Sequence, residues 1–143
     1  MDTPELRRAL SARLSPERLR ASGGAAFALQ VPGGPILQFR FAAQLELLCV
    51  AAVAGRLLHA TREEACAQLM QANLYLADAG LPHWAVAPGH DAVMLCRTVM
   101  LDPLQPQELL DELMRFLSLW QSGRDQLLQA QLVDVAEPEA MGG

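Results

Sequence analysis

The chain has no lysine: all eleven of its basic residues are arginine. Chemistry that begins from a lysine amine is therefore excluded, including Schiff bases, the phosphate-loop lysine and the kinase lysine. Charge of either sign is scarce, at 19% of residues against about 25% in average soluble domains. The balance is acidic, with a net charge of -5 and a pI near 5.1. That argues against nucleic acid, whose binding needs a basic face to release counterions. It argues equally against docking on anionic lipid. The three cysteines, Cys49, Cys66 and Cys96, form no metal-ligand pair and no redox pair. Each lies in an apolar stretch and reads as a small core residue, which fits a reducing compartment. The longest unbroken apolar run, Leu47–Ala54, is eight residues, far short of the ~20 that a membrane span needs. Met1-Asp2-Thr3-Pro4-Glu5 is acidic and lacks the apolar stretch of an export signal, so a cytoplasmic protein is expected.

Apolar residues, by contrast, are plentiful. They make up 52% of the 143 residues, enough to exclude disorder over most of the chain. A mean hydropathy of +0.17 suggests that some apolar surface belongs to a partner. The length suits one domain with its own core.

Thr3-Pro4 reads as a helix start, with Leu6, Leu10 and Leu14 forming one apolar stripe. Ser15-Pro16 breaks that helix. Three strand-like runs follow. Phe27, Leu29 and Val31 alternate before the turn Pro32-Gly33-Gly34-Pro35, and Leu37, Phe39 and Phe41 alternate after it. The third run, from Leu45 to Ala52, is apolar on both faces. Such a strand is covered on both sides, or one side waits for another chain. Thr61-Arg62-Glu63-Glu64 fits a capping box, and Ala65, Leu69, Ala72 and Leu76 continue as a helix ending near Gly80. A hairpin follows, with Trp84 and Val86, the turn Pro88-Gly89-His90-Asp91, then Val93, Leu95 and Val99. The last helix starts near Gln105-Pro106 and carries Leu109, Leu113, Phe116, Trp120 and Leu127 on a wide stripe. The expected fold is α+β: a single domain in the order α-β-β-β-α-β-β-α, with a mostly antiparallel sheet packed against helices. The domain is expected over residues 1–132, with 133–143 a flexible acidic tail.

Groups for catalysis are sparse. His90-Asp91 is the only pair with acid–base potential, and it reads as a solvated turn. Gly23-Gly24 and Gly33-Gly34 lack the spacing and the lysine of a phosphate-cradling loop. Glu108, Asp111 and Glu112 complement the dipole of the last helix rather than make a metal site. No metal, no cofactor and no catalytic residue is expected.

The stretch from Arg62 to Leu128 resembles the class I type III secretion chaperones of the Tir chaperone (CesT-like) family. Three parts carry the resemblance. They are Leu69-Met70-Gln71-Ala72-Asn73-Leu74, the turn Pro88-Gly89-His90-Asp91 leading into Ala92-Val93-Met94-Leu95, and Leu101-Asp102-Pro103-Leu104 with Glu108-Leu109-Leu110-Asp111-Glu112-Leu113 and Phe116. The resemblance implies a bacterial cytoplasmic homodimer with no enzymatic activity. Such a dimer binds the N-terminal chaperone-binding segment of a secreted effector in extended form, keeps it soluble and helps deliver it to the secretion machine, whose components are further partners. By that analogy Leu6, Leu10, Leu14, Phe27 and Leu37 are expected to bind the effector. Leu69, Ala72, Leu76 and Trp84 are expected at the dimer interface. Two competing readings are a dimeric regulatory interaction module of the same fold and a small-ligand binder or enzyme.

Overall fold

The computed structural model describes residues 26–78, 82–87 and 89–135, together with Pro4, Arg8, Leu10 and Pro16. Five strands build the body of one antiparallel sheet: β1 (Ala26–Gln30), β2 (Ile36–Ala42), β3 (Leu47–Leu57), β4 (His83–Ala87) and β5 (Ala92–Met100). Their order across the sheet is β1-β2-β3-β5-β4. Two helices accompany them, α1 (Arg62–Asp78) between β3 and β4 and α2 (Pro106–Gln129) after β5. Pro4, Arg8 and Leu10 are also helical, as the leading Leu stripe predicts, and so is Pro16. The α+β class and the element order read from the sequence are those of the structure.

Alternation decides which side of the sheet is core. Leu37, Phe39 and Phe41 of β2 share the buried face with Leu48, Val50, Ala52 and Ala54 of β3 and with Val93 and Leu95 of β5. The wide stripe of α2 packs into the same cluster through Leu109, Leu113, Phe116, Trp120 and Leu127. Its start follows the local rules: Pro106 sits in the first turn, and Gln105 and Glu108 close a reciprocal capping box. At the β3 bulge between Val53 and Gly55, α2 takes two β3 carbonyls. Trp120 Nε1 donates to Val53 O (3.0 Å) and Arg124 Nε donates to Ala54 O (3.2 Å), so polar backbone next to the core is satisfied. Arg97 of β5 reaches the same helix through Glu112 (3.2 Å), which also accepts from Arg115.

Three local expectations change. Thr61 does not cap α1. It ends a 3₁₀ turn over His59–Thr61 and already has helical backbone, so its hydroxyl lacks the extended geometry that capping needs; it finds no partner. The expected tail begins too early. Leu132 and Val133 are buried, and Val133–Asp134 form a short β6 antiparallel to Arg56 and Leu57. Gly55 permits this, because a Cβ there would lie 2.7 Å from Asp134 O. The remainder of the expected tail, 136–143, lies outside the described residues. Cys49 is not a core residue but exposed, because it falls on the face of β3 opposite Leu48 and Val50.

A second close approach joins α2 to β4. A Cβ on Gly123 would stand 2.2 Å from the Trp84 ring. Gly123→Ala must displace that indole, and we expect a loss of about 1–3 kcal/mol, read as a lower denaturation midpoint with altered tryptophan emission.

Candidate partner-binding surfaces

Helix α1 is apolar on more than one side. Ala65 and Leu69 point into the core, while Ala72 and Leu76 are partly buried against it. On the rest of the surface Met70, Leu74 and Tyr75 are 73%, 66% and 71% exposed. They fall at i, i+4 and i+5, so Met70 and Leu74 make one ridge and Tyr75 stands beside it. Large apolar side chains so placed on one helix mark an interaction surface more than scattered exposure does.

The outward face of the sheet is also only partly polar. Register brings Cys49 opposite Thr98, Ala51 opposite Cys96, Val53 opposite Met94 and Leu47 opposite Met100. Cys49 Sγ lies 3.7 Å from Thr98 Oγ1. Burial, and then the nearby Cys49, pushes the Cys96 thiol up, so it stays protonated at neutral pH and is a poor nucleophile.

Between α1 and α2 lies a small cleft of about 80 Å³, lined by Gln68, Leu69, Ala72, Trp84, Gly123, Gln126 and Leu127. Apolar walls and two amide groups suit an apolar side chain rather than a cofactor. His90 and Asp91 sit in the β4–β5 turn as expected. There Asp91 is tied to Arg62 at the start of α1 by an ion pair, and this contact holds the Arg62 guanidinium more firmly charged. Among the described residues no three of His, Cys, Asp and Glu are grouped to hold a metal ion. No described helix is long and apolar enough to cross a membrane.

The residues singled out in the sequence do not form one site. Of those expected to bind an effector, Leu10 and Leu37 are fully buried in the core of this same chain and offer no surface to a partner. Phe27 keeps part of its surface, with its ring stacked on Phe39 at 4.8 Å. Leu6 and Leu14 lie outside the described residues. Of those expected at a dimer interface, Leu69 and Trp84 are buried within the chain, and Ala72 and Leu76 lie on the core-facing side of α1. The apolar stripe in the sequence marked the side of α1 that faces the core. Met70, Leu74 and Tyr75 were missed, although three large apolar residues off the stripe were a signal of a second apolar side.

An antiparallel sheet with helices against its core side and an exposed apolar ridge on α1 define an α+β fold with a surface suited to binding another protein. The chain belongs to the Tir chaperone protein (CesT) family, whose sequence model matches residues 8–124. None of the curated proteins matches it. Solved structures share the fold. The HopA1-SchA chaperone–effector complex contains a chain that is 12% identical, with a TM-score of 0.61 over 82% of this chain and 96% of that one. The heterodimeric ExoU-SpcU complex from the type III secretion system of Pseudomonas aeruginosa contains one that is 18% identical, with a TM-score of 0.60 over 85% and 92%. YbjN of E. coli, named as a candidate transcription regulator, is 12% identical, with a TM-score of 0.56 over 86% and 97%.

Proposed function

We propose that this chain, a type III secretion chaperone by family, works as a cytoplasmic homodimer that holds the N-terminal segment of a secreted effector in extended form, keeps it soluble and presents it to the secretion apparatus. It does so without catalysis, cofactor or ATP. The observation that carries this reading is the exposed Met70, Leu74 and Tyr75 on a helix whose other side is locked into a complete core. A second copy is the natural occupant of that ridge, since a two-fold contact lets one apolar helix face cover its own image. Dimer contacts are therefore proposed at Met70, Leu74 and Tyr75, in place of Leu69 and Trp84.

The effector is proposed to dock away from α1, along the β1 side of the sheet around Phe27. An extended segment there adds backbone hydrogen bonds that demand no particular sequence. Each fully buried Leu or Phe anchor contributes about 1.5–3 kcal/mol, offset by the cost of ordering a disordered segment, so several anchors over a long stretch are required. The solved complexes of the same fold, one of a chaperone with its effector, support the reading.

A tagged pull-down from the native cytoplasm, followed by mass spectrometry and limited proteolysis, tests it. A large partner protected along one N-terminal stretch is the expected result. A folded partner protected over a compact surface would overturn it in favour of a regulatory module, the role for which YbjN is named.

A further inference from the structure

A sheet that accepts a partner strand has two edges, and the two edges of this sheet differ. On β4, Trp84 N–H donates to Asn73 Oδ1 at 2.6 Å, and Asn73 Nδ2 donates to Trp84 O at 2.9 Å. One side-chain amide of α1 thus takes both backbone groups that Trp84 turns away from β5, making the same pair of bonds that an added strand would make. Alternation along an antiparallel ladder then assigns the rest of the sheet. Trp84 faces Leu95, Leu95 faces Ala52, Ala52 faces Leu37 and Leu37 faces Leu29. Carried across these pairs, the alternation turns the backbone groups of Leu29 toward β2, and those of Ala26, Ala28 and Gln30 away from it. The bond from Val31 N to Pro35 O at 3.0 Å in the β1–β2 turn has the phase this requires. Among the described residues no strand pairs with that outer side of β1.

We infer that Asn73 is an edge-closing residue: its amide seals β4 against strand addition, so that β1, through Ala26, Ala28 and Gln30, is the edge that takes an extended partner segment. The sealing stands on the two hydrogen bonds alone. The choice of β1 for an effector rests on the function proposed above. The same device protects the chain from pairing with copies of itself, since an unsealed edge strand is a template for association.

The sealing is tested on the chain by itself. Asn73→Leu keeps the bulk and removes both bonds. We expect the Trp84 amide to exchange with solvent hydrogen at least roughly tenfold faster. We also expect sedimentation velocity to show concentration-dependent species larger than the wild-type assembly. Adding Val86→Pro should abolish those species. The Val86 N–H points outward like that of Trp84, so proline there blocks an added strand without breaking the ladder to β5. A folded Asn73→Leu chain with unchanged Trp84 exchange and unchanged sedimentation overturns the proposal. Should Asn73→Leu fail to fold, Asn73→Asp serves: it still accepts from Trp84 N–H but repels Trp84 O, and unchanged assembly there overturns the proposal likewise.

The choice of edge is tested in the wild-type background by pull-down with Ala28→Pro and Val86→Pro. Loss of the partner with Ala28→Pro only is expected. Loss with Val86→Pro only, or with neither, overturns the assignment to β1. Absence of any partner from the wild-type chain fails the chaperone reading and leaves the sealing result standing.

Discussion

Leu37→Asp should leave no folded chain. Leu37 is fully buried in β2, opposite Leu29 on one side and Ala52 on the other. Among the described residues no cation is buried on the core face that Leu37 shares with Phe39, Val50 and Leu95, so a carboxylate there has no partner, and removing its charge still leaves a polar group in an apolar site. Leu37→Ala alone is expected to cost about 2–5 kcal/mol, a large part of the roughly 5–15 kcal/mol that holds a domain together. Circular dichroism and a denaturation curve of the two variants check this. A folded Leu37→Asp chain that has merely lost its partner would return Leu37 to the effector-binding set in which sequence reasoning placed it.

The opposite outcome is expected for Met70→Asp combined with Leu74→Asp. Both side chains are mostly exposed in the single chain, so the fold should keep its stability to within about 0.5 kcal/mol. The proposed dimer should not form. Two anchors lost from each of two symmetric copies remove at least about 6 kcal/mol when fully buried, which weakens association by about four decades. Four carboxylates brought together at a two-fold axis add repulsion. Light scattering after size exclusion should show a monomer with the native circular dichroism spectrum. A surviving dimer would move the interface away from α1, with the outward face around Cys49 and Met100 as the next surface to alter.

These two experiments divide the apolar residues in a way that periodicity alone does not. The Leu10, Leu37, Leu69 and Trp84 positions were legible as apolar, and as members of a stripe or an alternating run. Whether a stripe faces its own core or another chain depends on what lies across from it. Leucine has the same chemistry in both places. The cysteines show the same ambiguity: Cys49 and Leu48 are neighbours in one apolar run, yet alternation puts Cys49 in solvent and Leu48 in the core.

Residues that act through near neighbours could be read directly. The Gln105-Pro106 helix start, the turn of Pro32 to Pro35, the turn at His90-Asp91 and the α2 stripe all depend on contacts a few residues apart, and the chain carries them wherever it goes. The order of helices and strands, and with it the α+β class, followed from those local patterns. The tertiary structure decided what distant segments do to one another. Asn73 meets Trp84 across eleven positions, Gly55 admits Val133, and Trp120 reaches Val53 across the core. Such contacts leave no periodic trace, because each is one side chain fitted to one backbone group brought near by the whole fold. For that reason the amino-acid sequence alone determined the main helices and strands and their order, whereas the assembled sheet determined the short pairing of Val133–Asp134, which apolar face remains exposed and which edge is sealed.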